Sequence, residues 1–114
     1  MEIKTADYTV WLEASTNVMF LEGAFRLAGT ESYAPIAQAL DEWMATSEGP
    51  LVLDLKRLEY LNSSGINMLA KLTINARNNG TRTLSVRGNK DIAWQGKSLV
   101  NLKKLYPALE LVID

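Results

Sequence analysis

The fold is decided by LVLDLKRLEYLNSSGINMLAKLTINARNNG, residues 51–80. Its opening run, Leu51 to Leu55, is almost continuously apolar, which is typical of a strand inside a parallel sheet. From Ile66 onward apolar side chains recur at helical spacing, and Asn78-Asn79-Gly80 ends the pattern with residues suited to a left-handed cap. The stretch therefore predicts a buried strand, a polar loop over residues 56–62 and an amphipathic helix.

The flanking segments predict an α/β fold. Residues 8–14 and 18–21 are rich in β-forming side chains and are joined by the turn residues Ser15-Thr16-Asn17, which predicts an antiparallel hairpin. The other predicted elements are a helix capped by Ser32 and ended by Ser47-Glu48-Gly49-Pro50, a strand at 83–86, a helix at about 98–106 and an edge strand at 109–113. Together they predict a mixed sheet of four to five strands, opened by a hairpin and packed against helices, as one domain over residues 1–114.

Composition excludes several classes of function. The 114 residues contain no Cys and no His, which removes disulfides, thiolate metal sites, cysteine nucleophiles and the usual general base. We therefore expect no metal and no cofactor. Twelve basic residues against thirteen acidic ones give a net charge of −1, which argues against sequence-independent binding to nucleic acid.

Membrane insertion is not expected either. No window approaches the roughly 18 apolar residues that a membrane span needs. The opening residues, MEIKTADYTVWLEA, lack the basic run before an apolar block that marks a targeting signal. We expect a cytoplasmic protein.

Charge is spread unevenly along the chain. Residues 1–64 carry four basic and ten acidic side chains, whereas residues 65–114 carry eight basic and three acidic ones. Such an asymmetry can mark a partner surface. Alternatively, the two halves interleave in the fold and the charges solvate its surface.

The start of the second predicted helix, Asn62-Ser63-Ser64-Gly65, is a candidate site. Unpaired N–H groups and the positive end of the helix dipole favour an anionic group there, including a phosphate. Phosphorylation of a serine at this position would add about −1.5 to −2 charge units. The alternative is that Ser63 or Ser64 is a helix cap, a role that contributes ~1 kcal/mol.

In this order the motifs resemble the STAS domain, the module of bacterial anti-sigma-factor antagonists and of the cytoplasmic tails of sulfate transporters. The family pattern is an apolar strand ending in Asp, an aromatic or apolar pair, Asp-Ser-Ser/Thr-Gly, an apolar helix and a Gly. Asp54, Tyr60-Leu61, Asn62-Ser63-Ser64-Gly65 and Gly80 fill these places. Asn62 departs from the family Asp, and Gly23-Ala24-Phe25-Arg26 departs from the family Gly-Glu-Leu-Asp.

The resemblance implies a regulatory module in a partner-switching pathway. Its phosphorylated residue would be Ser63, with Ser64 the second choice. The unmodified chain would bind a serine kinase of the anti-sigma-factor type and release it after phosphorylation. A PP2C-type phosphatase is a further expected partner, and ATP would belong to the kinase. The expected contact residues are Tyr60, Leu61, Asn62, Ser63, Ser64, Gly65, Ile66, Asn67 and Met68.

Two other functions stay open. A constitutive STAS scaffold or accessory subunit of a larger complex, for example a transporter, is favoured by Asn62 and by the missing early acidic residues. An enzyme with Ser63 or Ser64 as nucleophile would need an activating base, and without His only a Lys or a carboxylate can serve.

Two residues outside the tetrapeptide have alternative roles. Asp54 ends a predicted strand, where ligands often bind, and either supports the site or accepts hydrogen bonds from the backbone of the following loop. Trp94 lies between predicted turns and is either the anchor of a second interface or a lid over the core.

Overall fold

The computed structural model describes residues 1–79 and 83–114. This part of the chain contains seven strands and three helices. The strands are β1 (Glu2–Lys4), β2 (Tyr8–Glu13), β3 (Val18–Phe25), β4 (Leu51–Asp54), β5 (Leu58–Leu61), β6 (Leu84–Gly88) and β7 (Glu110–Ile113). The helices are α1 (Gly29–Thr46), α2 (Ser63–Asn79) and α3 (Ala93–Leu105). The α/β class is confirmed, and the strand count exceeds the predicted four to five.

The sheet is mixed and has the order β1-β2-β3-β4-β6-β7, with β5 also paired to β3. β1, β2 and β3 are antiparallel, which confirms the opening hairpin, and all the other pairs are parallel. The two unpredicted strands are β1 and β5. Both are short, and β5 lies in the stretch 56–62 that was expected to be a loop.

Strand β3 holds the site in place because it pairs with two successive strands. Its first residues pair with β4, and its last residues pair with β5, with a register shift after Gly23. Gly23 has a φ of +99°, and a Cβ there would meet the Asp7 carbonyl and lie 3.0 Å from the Tyr8 Cα. The pairing of Phe25 with Leu61 then brings the end of β5 beside the connection from β3 to α1.

One face of the sheet is packed against the helices. Along β4, Leu51 and Leu53 are buried while the residues between and after them are only half-buried. Buried strand residues form a single apolar cluster with the inward faces of all three helices, as in Leu40 of α1, Leu69 of α2 and Leu99 of α3. Burial on this scale is the main stabilising contribution to the fold.

The helix starts differ from the predictions. α1 begins at Gly29 with Ala28 as N-cap, so Ser32 lies within the helix and is not its cap. α3 begins at Ala93, five residues before the expected start. Gly80, expected to end α2, lies outside the described residues. Within the described part of the chain, no helix is both long enough and apolar enough to cross a membrane.

Candidate partner-binding site at the start of helix α2

Asn62 caps helix α2. Its Oδ1 accepts a hydrogen bond of 3.2 Å from the backbone N–H of Gly65, and its carbonyl accepts one of 2.9 Å from the N–H of Ile66. These are the contacts of an N-cap residue: the carbonyl accepts the first hydrogen bond of the helix, and the side chain satisfies one of the N–H groups that a helix start leaves unpaired. The side chain that sequence reasoning treated as a departure from the family pattern is therefore the cap itself.

The same amide ties α2 to the connection that follows β3. Asn62 Nδ2 donates to the Leu27 carbonyl at 2.7 Å, and Oδ1 also accepts from the Tyr33 hydroxyl at 2.7 Å. A carboxylate at residue 62 would place an oxygen where this amide nitrogen faces a carbonyl. The Leu27 contact therefore gives a physical reason for Asn in place of the family Asp.

Tyr33 completes this network from α1. Its hydroxyl lies 3.0 Å from the Phe25 carbonyl as well as 2.7 Å from Asn62 Oδ1, so a single proton serves two acceptors. The ring is buried, and burial raises the pKa of the Tyr33 hydroxyl above its ordinary value. Because a buried hydroxyl needs a partner, the network fixes the relative positions of α1, β3 and the start of α2.

Ser63 is the first residue of α2 and is exposed. Among the described residues, no hydrogen bond involves its hydroxyl, and the capping contact belongs to Asn62. The alternative that Ser63 or Ser64 is the cap is therefore wrong. The Ser63 hydroxyl stands at the positive end of a 17-residue helix, and no contact within the described structure has to break for it to be modified.

Gly65 is required by packing. A Cβ at this position would meet the Leu61 side chain, lie 2.7 Å from its Cγ and lie 2.9 Å from the Tyr33 hydroxyl. Its φ is not in the left-handed region. The close approach of α2 to β5 and α1 therefore explains this glycine, and an unusual backbone conformation does not.

The expected contact residues fall into three groups by exposure. Tyr60, Ser63 and Asn67 are exposed, Asn62, Ser64 and Ile66 are half-buried, and Leu61, Gly65 and Met68 are buried. Leu61 and Gly65 therefore offer almost no surface to a partner, whereas Met68, although buried, lines a groove between α1 and α2.

Arg26 and Tyr60 adjoin this turn. The Arg26 guanidinium lies 4.9 Å from the centre of the Tyr60 ring, within the range of a cation–π contact. Tyr60 is 43% exposed although it is aromatic. Arg26 occupies the place where the family pattern has an Asp, so the surface beside the first turn of α2 carries a cation in place of an anion.

The two residues outside the tetrapeptide have structural contacts. Asp54 Oδ1 accepts a hydrogen bond of 2.9 Å from the Lys56 N–H, which is the loop-bracing alternative. Trp94 lies in the first turn of α3, half-buried against the core, and its Nε1 donates to the Glu59 carbonyl at 2.9 Å. These contacts favour a lid for Trp94 over an interface anchor.

Sequence reasoning missed Tyr33 and Gln95. Tyr33 lies three and seven residues before Ile36 and Leu40, so helical spacing places it on the buried face of α1. Gln95 lies four residues before Leu99 on the buried face of α3. That spacing was hidden because the helix was expected to begin after Gln95. In the described part of the chain, no group of three or more acidic side chains is placed to hold a metal ion.

Comparisons with known proteins agree with this fold. The family model described as "Mlab, STAS domain" matches residues 10–105. A chain in the crystal structure of the diguanylate cyclase SiaD in complex with its activator SiaC, from Pseudomonas aeruginosa, aligns with a TM-score of 0.76 and 18% identity, covering 99% of this chain and 97% of that one. SiaC of Pseudomonas aeruginosa aligns with a TM-score of 0.76 and 17% identity, covering 100% and 96%. No curated protein sequence matches the chain.

Proposed function

Because this chain belongs to the STAS domain family, we propose that it is a regulatory protein-binding module in a partner-switching pathway. The partner docks on the first turn of α2 and leaves when Ser63 is phosphorylated. The module itself is not an enzyme, and it acts as one cytoplasmic domain over residues 1–114. Its partners are a serine kinase of the anti-sigma-factor type, which supplies the ATP site, and a PP2C-type phosphatase.

The observation that carries this proposal is that Asn62, and not Ser63, caps helix α2. Asn62 caps the helix, so the hydroxyl one residue later is not needed to hold α2 in place. A phosphate on Ser63 would therefore change the surface and leave the fold intact. The helix dipole stabilises the added charge, while a partner docked on the same turn meets new charge and bulk.

The exposed surface beside Ser63 suits a protein partner. Tyr60 and Arg26 offer an aromatic ring and a guanidinium, two side chains that are enriched at binding hot spots. SiaC activates the diguanylate cyclase with which it forms a complex, and this supports a role for the present chain in regulating a partner enzyme.

The test uses co-expression with the serine kinases of this type from the source genome, followed by intact mass spectrometry. We expect the mass of one phosphate on the natural chain and on Ser64→Ala, and none on Ser63→Ala. Ser64→Ala is the matched control because it removes the neighbouring hydroxyl only.

Binding supplies the second readout. The kinase should bind Ser63→Ala as tightly as the natural chain and Ser63→Asp at least about tenfold more weakly, since the new charge lies inside the contact surface. Equal affinity for both variants, together with no added phosphate, would defeat the switch.

A constitutive accessory subunit is the second candidate. It is favoured by the full use of the Asn62 amide inside the fold, which leaves no family carboxylate for a kinase to contact. A stable complex that survives Ser63→Asp unchanged would select this function over the switch.

A further inference from the structure

A groove of about 850 Å³ runs between α1 and α2. Asn75 donates to Asp41, and further along both helices Asn79 donates to the Met44 sulfur, so the two helices run in the same direction. Ser64 lines the opposite end of the groove. The groove therefore opens beside Ser63 and follows both helices away from it.

The lining of the groove suits a third helix. Its floor includes the buried side chains of Leu40 and Leu72, and its α1 wall includes Ala34, Ala37 and Ala45. Alanines let another helix approach closely, because the distance between packed helices depends on the side chains at the contact. The span from Ala34 to Ala45 is ~16 Å of helix, or about three turns.

The walls of the groove carry opposite charge. All three charged residues of α1 are acidic (Glu31, Asp41 and Glu42), and both charged residues of α2 are basic (Lys71 and Arg77). Asp41, Glu42 and Lys71 line the groove. Within residues 1–79 and 83–114, no salt bridge joins the two helices. Arg77 donates to the Leu105 carbonyl near the end of α3, so the groove has two acidic side chains on its α1 wall facing one lysine on its α2 wall.

We infer that this groove binds one amphipathic helix of the partner, an inference that rests on the proposed function. The apolar face of that helix lies on the floor, its Lys or Arg side chains face α1, and its Asp or Glu side chains face α2. It runs antiparallel to both helices, which aligns the dipoles favourably. Its carbonyl end then lies beside Ser63, where a phosphate repels it.

The probe is a pair of synthetic helical peptides of about 15 residues, long enough to fill the groove. Both have a Leu/Ala seam. The matched peptide carries Lys on the α1 flank and Glu on the α2 flank, and the second peptide exchanges them. In fluorescence anisotropy titrations with the intact chain, the matched peptide should bind about tenfold more tightly, because each rim charge becomes repulsive after the exchange.

Two variants test the location. Ala34→Trp fills the groove from an exposed position and should weaken the matched peptide at least about tenfold, while Ser32→Trp, exposed on the same helix outside the groove, should not. The triple variant Asp41→Lys, Glu42→Lys, Lys71→Glu should prefer the exchanged peptide. No binding of either peptide, equal affinity for both, or undiminished binding to Ala34→Trp would overturn the inference.

The two proposals fail separately. If the matched peptide binds the natural chain and Ser63→Asp equally, and Ala34→Trp blocks it, the groove is a docking site and the phosphate switch is wrong. If the kinase responds to Ser63→Asp while Ala34→Trp leaves its affinity unchanged, the switch stands and the partner docks outside the groove.

Discussion

The starts of α2 and α3 both depend on one amide side chain, but the two amides leave different surfaces. Asn62 precedes α2, is half-buried and caps it. Gln95 lies inside the first turn of α3 and is fully buried. Its Nε2 donates to the carbonyls of Leu55 and Leu58 at 2.7 and 3.0 Å, and its Oε1 accepts from the Asn89 N–H at 2.7 Å.

The difference shows why one helix start leaves an exposed surface and the other does not. At α2, the cap lies outside the helix, so Ser63 is exposed above a packed first turn. At α3, the amide reaches across to the β4–β5 connection, and Trp94 covers the same turn with a hydrogen bond to Glu59. The start of α3, around Trp94 and Gln95, is therefore held to the rest of the fold by hydrogen bonds, and we call it the joint. The start of α2, around Ser63, is exposed, and we call it the platform.

The largest effect is expected at the joint. Gln95→Leu replaces the amide with an apolar side chain of similar size. It removes the Gln95 partner of the Leu58 carbonyl and of the Asn89 N–H, and leaves the Leu55 carbonyl with only the Leu58 N–H, so it should lower the free energy of unfolding by about 3 kcal/mol. Urea denaturation measures this. Gln38→Leu is the matched control, since Gln38 is exposed on α1 and its loss should change stability by less than about 0.5 kcal/mol. Equal effects of the two substitutions would show that the Gln95 contacts do not stabilise the joint.

Two helical glycines sharpen the comparison, because the same substitution should have opposite signs. Gly65→Ala on α2 forces a Cβ against Leu61 and Tyr33, so we expect a loss of about 1–2 kcal/mol. Gly96→Ala on α3 meets nothing within 4 Å, so the better helix propensity of Ala should add about 0.5 kcal/mol. Thermal unfolding of both variants checks the prediction. A stabilised Gly65→Ala protein would show that α2 can move away from β5 at little cost.

The sequence predicted the sheet well where the apolar pattern was long and regular. The run from Leu51 to Leu55 and the helical spacing after Ile66 correspond to β4 and α2, and the hairpin turn residues correspond to the β2–β3 connection. The start of α3 could not be predicted because its first turn contains Trp94, Gln95 and Gly96, which show no apolar periodicity. Only the contacts of Gln95 across the fold make that turn part of the core.

The candidate site was predicted in position but not in detail. The order of motifs placed Ser63 at a helix start, and the structure has it there. Which side chain caps the helix depends on the Leu27 carbonyl and the Tyr33 hydroxyl, which are 35 and 29 residues away from Asn62 in sequence. Local spacing carries no signal for such long-range hydrogen bonds, so the sequence offered Ser63 or Ser64 as the alternative cap and did not identify Asn62.

The smallest loss of stability is expected at the platform, from Tyr33→Phe. Removing the hydroxyl leaves Asn62 Oδ1 bonded to Gly65 and the Phe25 carbonyl without that contact, so the loss at neutral pH should be about 1 kcal/mol. Burial raises the pKa of Tyr33, so in alkali the unfolded chain loses this proton first. The natural protein therefore loses stability as the pH rises through about 10, and the Phe variant lacks this contribution. Urea midpoints at neutral pH and at about pH 11 should show a smaller gap between the two proteins in alkali, and a constant gap would contradict a buried, neutral Tyr33.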